Sequence, residues 1–322
     1  MSRPGKVDDA DFLRLFEDFG PTETARKLNV SPRAVYNRRS KIEGLIGRKL
    51  ISPTSGGRTS NPERPEPIHH PHRIPLTVEN GTVLIGSDAH IWPGPLTPMF
   101  RAFVKFAKEL RPAAVIMNGD AFDGASISRH PPIGWAQLPT VQQEIEACQD
   151  ALHLLEKAVP RKTRTIWSLG NHDARFETRI ATVAPELAKV AGTSLQDHFS
   201  AWTPCWSTWI NDDVVVKHRF KGGLHAPHNN TLWAGKSFVT GHLHSAKVQP
   251  ISDYNGTRYG VDTGCLADPY AAAFRDYTED NPRNWRSGFA VLTFKAGKLL
   301  LPELVLTFGE SSVQFRGEII EV

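Results

Sequence analysis

Cysteine is scarce in this chain of 322 residues: Cys148, Cys205 and Cys265 lie far apart, are odd in number and form no CxxC pair. That excludes a disulfide framework and a zinc ribbon, and it fits a reducing cytoplasm. Long apolar runs are missing as well. No stretch approaches the ~20 residues that span a bilayer, and the opening MSRPGKVDDADF lacks the apolar core of a signal peptide. The expectation is a soluble, unexported, cytoplasmic protein with no membrane partner. Excess charge is modest, +4 overall, so its meaning depends on where it gathers. At 40% hydrophobic composition, the length suffices for a large domain and a small one.

Positive charge gathers near the start. Residues 8–19 place Phe12, Leu15, Phe16 and Phe19 at three- and four-residue spacing before Gly20, the pattern of an amphipathic helix. The next stretch sets Ala25 and Leu28 on one face of a short helix and turns at Asn29-Val30. It restarts at Ser31-Pro32, an N-cap followed by proline at the first helical position, with Val35 and Ile42 facing inward. Two helices joined by a short turn resemble the helix-turn-helix DNA-binding motif, which makes residues 1–50 a small all-α module. The resemblance implies a DNA partner, with Arg33, Asn37, Arg38 and Lys41 on the outer face, within reach of phosphates and base edges. The alternative is a protein-interaction cap with a solvated basic face. Residues 51–76, rich in proline, glycine and serine, read as an extended linker. His69, His70 and His72 within it read as solvated side chains.

From residue 77 to 322 the chain alternates short β-branched runs with helical patterns, which implies an α/β domain around a central sheet. Functional residues in such sheets collect where strands end. TVLIGSDAH ends in Asp88 and His90, and AVIMNGDAFD in Gly119, Asp120 and Asp123. RTIWSLGNHD ends in Gly170, Asn171, His172 and Asp173, DDVVVKH in His218, and SFVTGHLHS in Gly241, His242 and His244. A hydrolytic bimetal site needs mixed carboxylate and imidazole ligands, a bridging carboxylate and an open position for substrate. These strand ends supply all three.

The ordered set D-x-H, GD-x-x-D, GNHD, H and GH-x-H resembles the calcineurin-like metallophosphoesterase family, from about residue 82 to 268. The resemblance implies a sandwich of two mixed sheets flanked by helices. It also implies two divalent ions, manganese first with iron, zinc or nickel as alternatives. One ion would be held by Asp88, His90, Asp120 and His244, the other by Asp120, Asn171, His218 and His242, with Asp120 as the bridge. His172 is then the unligated catalytic imidazole beside the phosphoryl group, and Asp173 is expected to orient it. Asp123 is expected to support its loop or His172, and Gly170 to let the backbone turn tightly.

His218 is preferred over His225 and His228 because the apolar VVV before it supplies a buried strand. Arg129 and His130 either meet the substrate or are loop residues. Trp202, Trp206 and Trp209 could stack bases, although aromatics in a strand-like segment favour the core. The resulting expectation is a phosphoesterase using metal-activated water, directed to DNA as a nuclease by its N-terminal module. The GDAFD form resembles that of the family's DNA-repair nucleases. The rivals are a phosphomonoesterase acting on phosphoproteins or nucleotides, and a DNA-binding regulator with a vestigial phosphoesterase scaffold. The fusion also fits a bacterial or bacteriophage source by analogy.

Overall fold

The computed structural model describes residues 7–52, 71–129, 137–271, 274, 278, 279, 281 and 283–322. His69, His70 and His130 lie outside the described residues. The chain divides into two compact units, Met1–Pro67 and Ile68–Val322.

In the first unit, α1 (Asp9–Leu28) is kinked at Gly20, whose φ of 75° and ψ of 175° interrupt the helix just before Pro21. The left-handed region is open to glycine, and proline suits the first turn of the helix that follows. Asn29 closes α1 in the left-handed conformation. Ser31 then caps α2 (Pro32–Ile46) by accepting the Ala34 N–H at 3.2 Å. Phe12, Phe16, Ala25, Val35, Ile42 and Leu50 form the core of the unit. Phe19, expected on the apolar stripe, is instead exposed, with the Lys27 ammonium 4.3 Å from its ring centre.

The second unit runs, in chain order, through β1 (Ile74–Leu76), β2 (Gly81–Gly86), α3 (Pro98–Leu110), β3 (Ala114–Met117), α4 (Val141–Ala158) and β4 (Arg164–Ser168). It continues through α5 (Arg175–Val183), α6 (Leu195–His198), β5 (Thr203–Cys205), β6 (Thr208–Ile210), β7 (Val214–Val216), α7 (Ala226–Ala234) and β8 (Ser237–Thr240). It ends with β9 (Lys247–Asp253), β10 (Gly256–Asp262), β11 (Gly288–Lys295), β12 (Lys298–Leu299), β13 (Glu303–Thr307), β14 (Ser312–Phe315) and β15 (Glu318–Glu321). One sheet has the order β1-β6-β7-β8-β10-β9 and the other β15-β14-β13-β11-β2-β3-β4-β5, with β12 paired to β11. Both are mixed: β2, β3, β4 and β5 run parallel, as do β7, β8 and β10, whereas β9 and β11 pair antiparallel with their neighbours.

Side-chain alternation builds the layers. Val83 and Ile85 of β2 join Ile116, Ile166, Val216 and Val239 in the core shared by the two sheets. Leu84 of β2 points the other way, into a second core with Val115, Phe103 and Leu152, where α3 and α4 cover the sheet. The expected two-sheet sandwich flanked by helices is the observed fold. Two local expectations change. The segment read as linker contains β1, whose Ile74 and Leu76 are buried against β6; a pairing this short carries no periodic signal of its own. Of the three tryptophans, Trp202 is core, Trp209 is partly buried, and Trp206 is exposed.

Candidate metal centre

Because β2, β3 and β4 are parallel, as are β7 and β8, their carboxyl ends deliver the polar motifs to one place. The chain turns sharply there. Asp88, His90, Asp120, His242 and His244 all have positive φ, between 42° and 70°. Non-glycine residues in this region cost ~1–3 kcal/mol each and persist only where the surroundings enforce them. Here Asp88 N–H donates to Gly119 O (2.9 Å), His90 N–H to Asp120 O (3.0 Å) and His242 N–H to the Asp88 carboxylate (2.8 Å).

The motif glycines provide close approach. A Cβ on Gly119 would lie 2.3 Å from His218 Nδ1, one on Gly170 2.0 Å from Asp120 Oδ1, and one on Gly241 2.4 Å from Asp88 Oδ2. The chain turns directly after Gly170, whose carbonyl accepts the Ala174 N–H at 3.3 Å; Gly170 does not use a positive φ, so what the glycine adds is space.

Two clusters result, Asp88 with His90 and His244, and Asp120 with His218 and His242; within each, the ligand atoms lie no more than 4.8 Å apart. The His244 Nε2 to Asp88 Oδ1 and His218 Nε2 to Asp120 Oδ2 distances are both 3.1 Å, and His90 Nε2 is 4.0 Å from Asp88 Oδ1. Ligands bound at ~2.0–2.2 Å to a common ion fall about 3–4 Å from one another, so these separations fit ion sites. Orphaned atoms agree: His218 Nε2 and Asn171 Oδ1 are buried without a hydrogen-bond partner. His218 Nδ1 donates to Asn118 O at 2.8 Å, which leaves Nε2 as the nitrogen that an ion would take. His225 and His228 belong to neither cluster.

The electrostatics also call for cations. Burial alone would raise the Asp88 pKa, but His244 and His218 outweigh it and bring it down to about 2. Asp120 is likewise held below the usual carboxylate range, its burial overcome by His218, His172 and His90. His218 shows the converse: burial disfavours its charge, yet Asp120 and Asp88 push it up to about 10. Ionised carboxylates buried this deeply need positive charge beside them.

The third carboxylate cluster is different. Asp123 Oδ1 is 2.7 Å from His172 Nδ1 and 2.9 Å from His90 Nδ1, and Oδ2 accepts from Trp92 Nε1 at 3.0 Å. The two imidazoles outweigh burial and keep Asp123 well below its ordinary pKa. An ionised carboxylate only accepts, so both histidines carry hydrogen on Nδ1 and turn Nε2 inward. This corrects the expectation for Asp173. Its carboxylate accepts from the N–H groups of Asp120 (2.8 Å), Phe122 (3.1 Å) and Gly170 (2.7 Å) and from Trp167 Nε1 (3.0 Å). Asp173 ties two motif loops together, and Asp123 is the partner of His172.

Arg175, which the sequence reading overlooked, donates to Asp123 O (3.0 Å) and reaches His172 Nε2 at 3.1 Å. Its position three residues after His172, at the start of α5, was the available signal. Arg129, Arg175, Asn171 and His242 line one open cleft of about 970 Å³. His72 is exposed and, among the described residues, joins no metal-capable cluster.

A two-sheet α/β sandwich that converges two histidine-carboxylate clusters and a carboxylate-backed histidine on one edge defines a binuclear metal hydrolase. The family model described as calcineurin-like phosphoesterase matches residues 81–259, more than half of the chain. The chain belongs to this family of metal-dependent phosphoester hydrolases. Among curated proteins, none matches it significantly. Its solved structural likenesses are distant. Vps29 of Chaetomium thermophilum is 8% identical with a TM-score of 0.37, the match covering 75% of this chain and 97% of that one. The E. coli phosphoesterase Yfce is 12% identical with a TM-score of 0.31, covering 69% and 97%. A dimetal phosphatase from Danio rerio is 9% identical with a TM-score of 0.37, covering 76% and 98%.

Proposed function

We propose that this phosphoesterase is a phosphodiesterase acting on DNA, brought to its substrate by the N-terminal helices. The observation that supports a DNA substrate is the outer face of α2, where Arg33, Asn37 and Lys41 are exposed beyond a capped turn. Arg38 is removed from that set: it pairs with Asp9 at 2.8 Å, donates to Val7 O and covers the Phe12 ring.

Asp88, His90, Asp120 and His244 would hold one ion, and Asp120, Asn171, His218 and His242 the other. The oxygen and nitrogen donors suit manganese, with iron, zinc and nickel also accommodated. Bound ions supply the water activation and charge neutralisation that phosphoester hydrolysis requires. The remaining work falls to protein side chains. Asp123 fixes Nδ1–H of His172, so proton exchange with substrate occurs at Nε2. Burial disfavours the imidazolium, but Asp123 and Asp120 outweigh it and raise the His172 pKa above 6.5, favouring a proton donor for the departing alkoxide. Arg175 donates to His172 Nε2 at 3.1 Å; protonation of Nε2 ends that contact, and both groups can then donate to a phosphoryl oxygen.

The test is a hydrolysis panel with manganese: bis-p-nitrophenyl phosphate, p-nitrophenyl phosphate, and plasmid, linear and single-stranded DNA, using the wild type, His172→Ala and Asp120→Ala. Diester and DNA cleavage lost in both variants supports the assignment. Cleavage of the monoester alone refutes the diesterase reading. DNA binding without hydrolysis under any divalent metal transfers the case to a regulator.

A further inference from the structure

The cleft beside the metal centre carries one sign of charge. Arg175 and Arg179 stand four residues apart on α5 and so share a helix face. Lys217, Arg219 and Lys221 alternate along the segment after β7, flanking the buried His218. No aspartate or glutamate among the described residues lines the cleft. Among the described residues, Arg129, Arg179, Lys217, Arg219 and Lys221 have no carboxylate within ion-pair distance. Like charges gathered in one concavity repel one another, whereas an ordinary surface intersperses both signs. This lining suits a ligand with several negative charges in succession, more than one phosphoryl group supplies.

Two aromatic rings line the same cleft. Trp206 is 38% exposed and Phe220 47%. Phe220 rests on Phe238, with centroids 5.5 Å apart and planes 22° from parallel, and the Lys221 ammonium lies 5.9 Å from its ring centre and 3.8 Å from that of Trp233, so ring and cation stand side by side. Exposed rings beside a cationic track form the stacking platform that unpaired bases use, while bases inside a duplex are already stacked and out of reach.

We infer that the cleft is a groove for single-stranded DNA adjoining the scissile phosphodiester. Arg179, Lys217, Arg219 and Lys221 contact successive phosphates, and Trp206 and Phe220 stack bases. The inference rests on the phosphodiesterase reading and specifies the strand the site accepts.

The experiment uses the full chain and compares the wild type with Arg179→Ala/Lys221→Ala and with Trp206→Ala. One arm, in manganese, measures kcat/KM for a fluorescein-labelled 12-residue oligothymidylate and for bis-p-nitrophenyl phosphate. The oligonucleotide-to-reporter ratio should fall by about 10-fold or more in each variant. The other arm, in chelator so that nothing is cleaved, measures oligonucleotide anisotropy against salt. Removing two phosphate contacts should flatten the log-log slope by about 1.4. Trp206→Ala should weaken the single strand about 10-fold while leaving a duplex of the same length unaffected. A wild type that hydrolyses the reporter, with a ratio unmoved by either variant, overturns the groove. Equal losses on single strand and duplex overturn the strand preference. If the wild type cleaves no diester at all, the phosphodiesterase reading fails, and an unchanged salt slope then overturns the groove independently.

Discussion

Asp123→Asn tests the arrangement around His172 most sharply. The carboxylate serves three donors, His172 Nδ1 and His90 Nδ1 on one oxygen and Trp92 Nε1 on the other. An amide has only one acceptor oxygen. If that oxygen stays with the histidines, the NH2 meets the Trp92 N–H, an opposition of donors in a shielded site that costs ~1–3 kcal/mol. If the amide flips, its NH2 faces both imidazoles and drives them to the Nε2–H tautomer. His90 then loses the lone pair it would offer an ion, and His172 loses its fixed orientation. Either way the negative charge behind His172 is gone, so its imidazolium becomes less favourable.

A carboxylate behind a ligand histidine contributes ~10–100-fold to metal affinity or activity, and a positioned general acid ~10²–10⁴-fold in rate. Asp123 supports both, so kcat for an oligonucleotide, whose alkoxide leaving group needs a proton, is expected to fall ~10²–10³-fold. Bis-p-nitrophenyl phosphate expels a stable phenolate and should lose only about 10-fold, the metal-affinity share. Steady-state rates on both substrates at limiting and at saturating manganese, with metal content by mass spectrometry, separate these contributions. A variant within a few-fold of wild type on both substrates refutes the reasoning. So does a variant in which the two substrates suffer equally with metal content intact.

Asp173→Ala should act on stability instead, because it strands four buried donors at ~1–3 kcal/mol each. Urea unfolding should show at least ~4 kcal/mol lost, and a folded, stable but inactive Asp173→Ala would return the orienting role to that residue. Gly170→Ala places a methyl 2.0 Å from Asp120 Oδ1 and should reduce bound metal while circular dichroism stays native; full metal occupancy would show that the site yields. Glu144, which is not among the candidate ion ligands, supplies a pH test. It is fully buried, Oε1 accepts the Ala125 N–H, and Oε2 has no partner. Burial, aided by the Asp123 charge, pushes its pKa up from 4.5 to about 7. Its folded-state pKa is raised, so its stabilisation is complete below about 4.5 and is lost as pH rises through about 7. Glu144→Gln keeps the neutral form, so its stability relative to wild type should rise by ~2–3 kcal/mol between pH 5 and pH 8. A pH-independent difference would reject the assignment.

What could be read in advance follows from how each feature is encoded. Buried parallel strands are continuous β-branched runs, so their ends are visible wherever such a run stops at aspartate or histidine; Asp88, Asp120, Asn171, His218 and His242 were legible for that reason. The partner of His172 was legible only in part: Asp123 was expected to support either its loop or His172, while the orienting role was given to Asp173. Asp173 is its neighbour in sequence, but the chain turns into α5 there and points the Asp173 carboxylate at the N–H groups of Gly170, Asp120 and Phe122. Asp123 arrives from another strand end, and only the register of β3 beside β4 brings it to both histidines. The groove is hidden in the same way: Arg175 and Arg179 are some forty residues from Lys217 and Lys221, and neither pair is notable in a chain of near-neutral balance. Nor does composition separate Trp202, sealed in the core, from Trp206, left at the cleft. The clustered histidines and carboxylates were legible because they follow strand ends, whereas groups such as Arg175 and Trp206 depend on side-chain direction after a turn. Substrate preference should therefore be altered by changing Arg179, Lys221 or Trp206, none of which belongs to a strand-end motif.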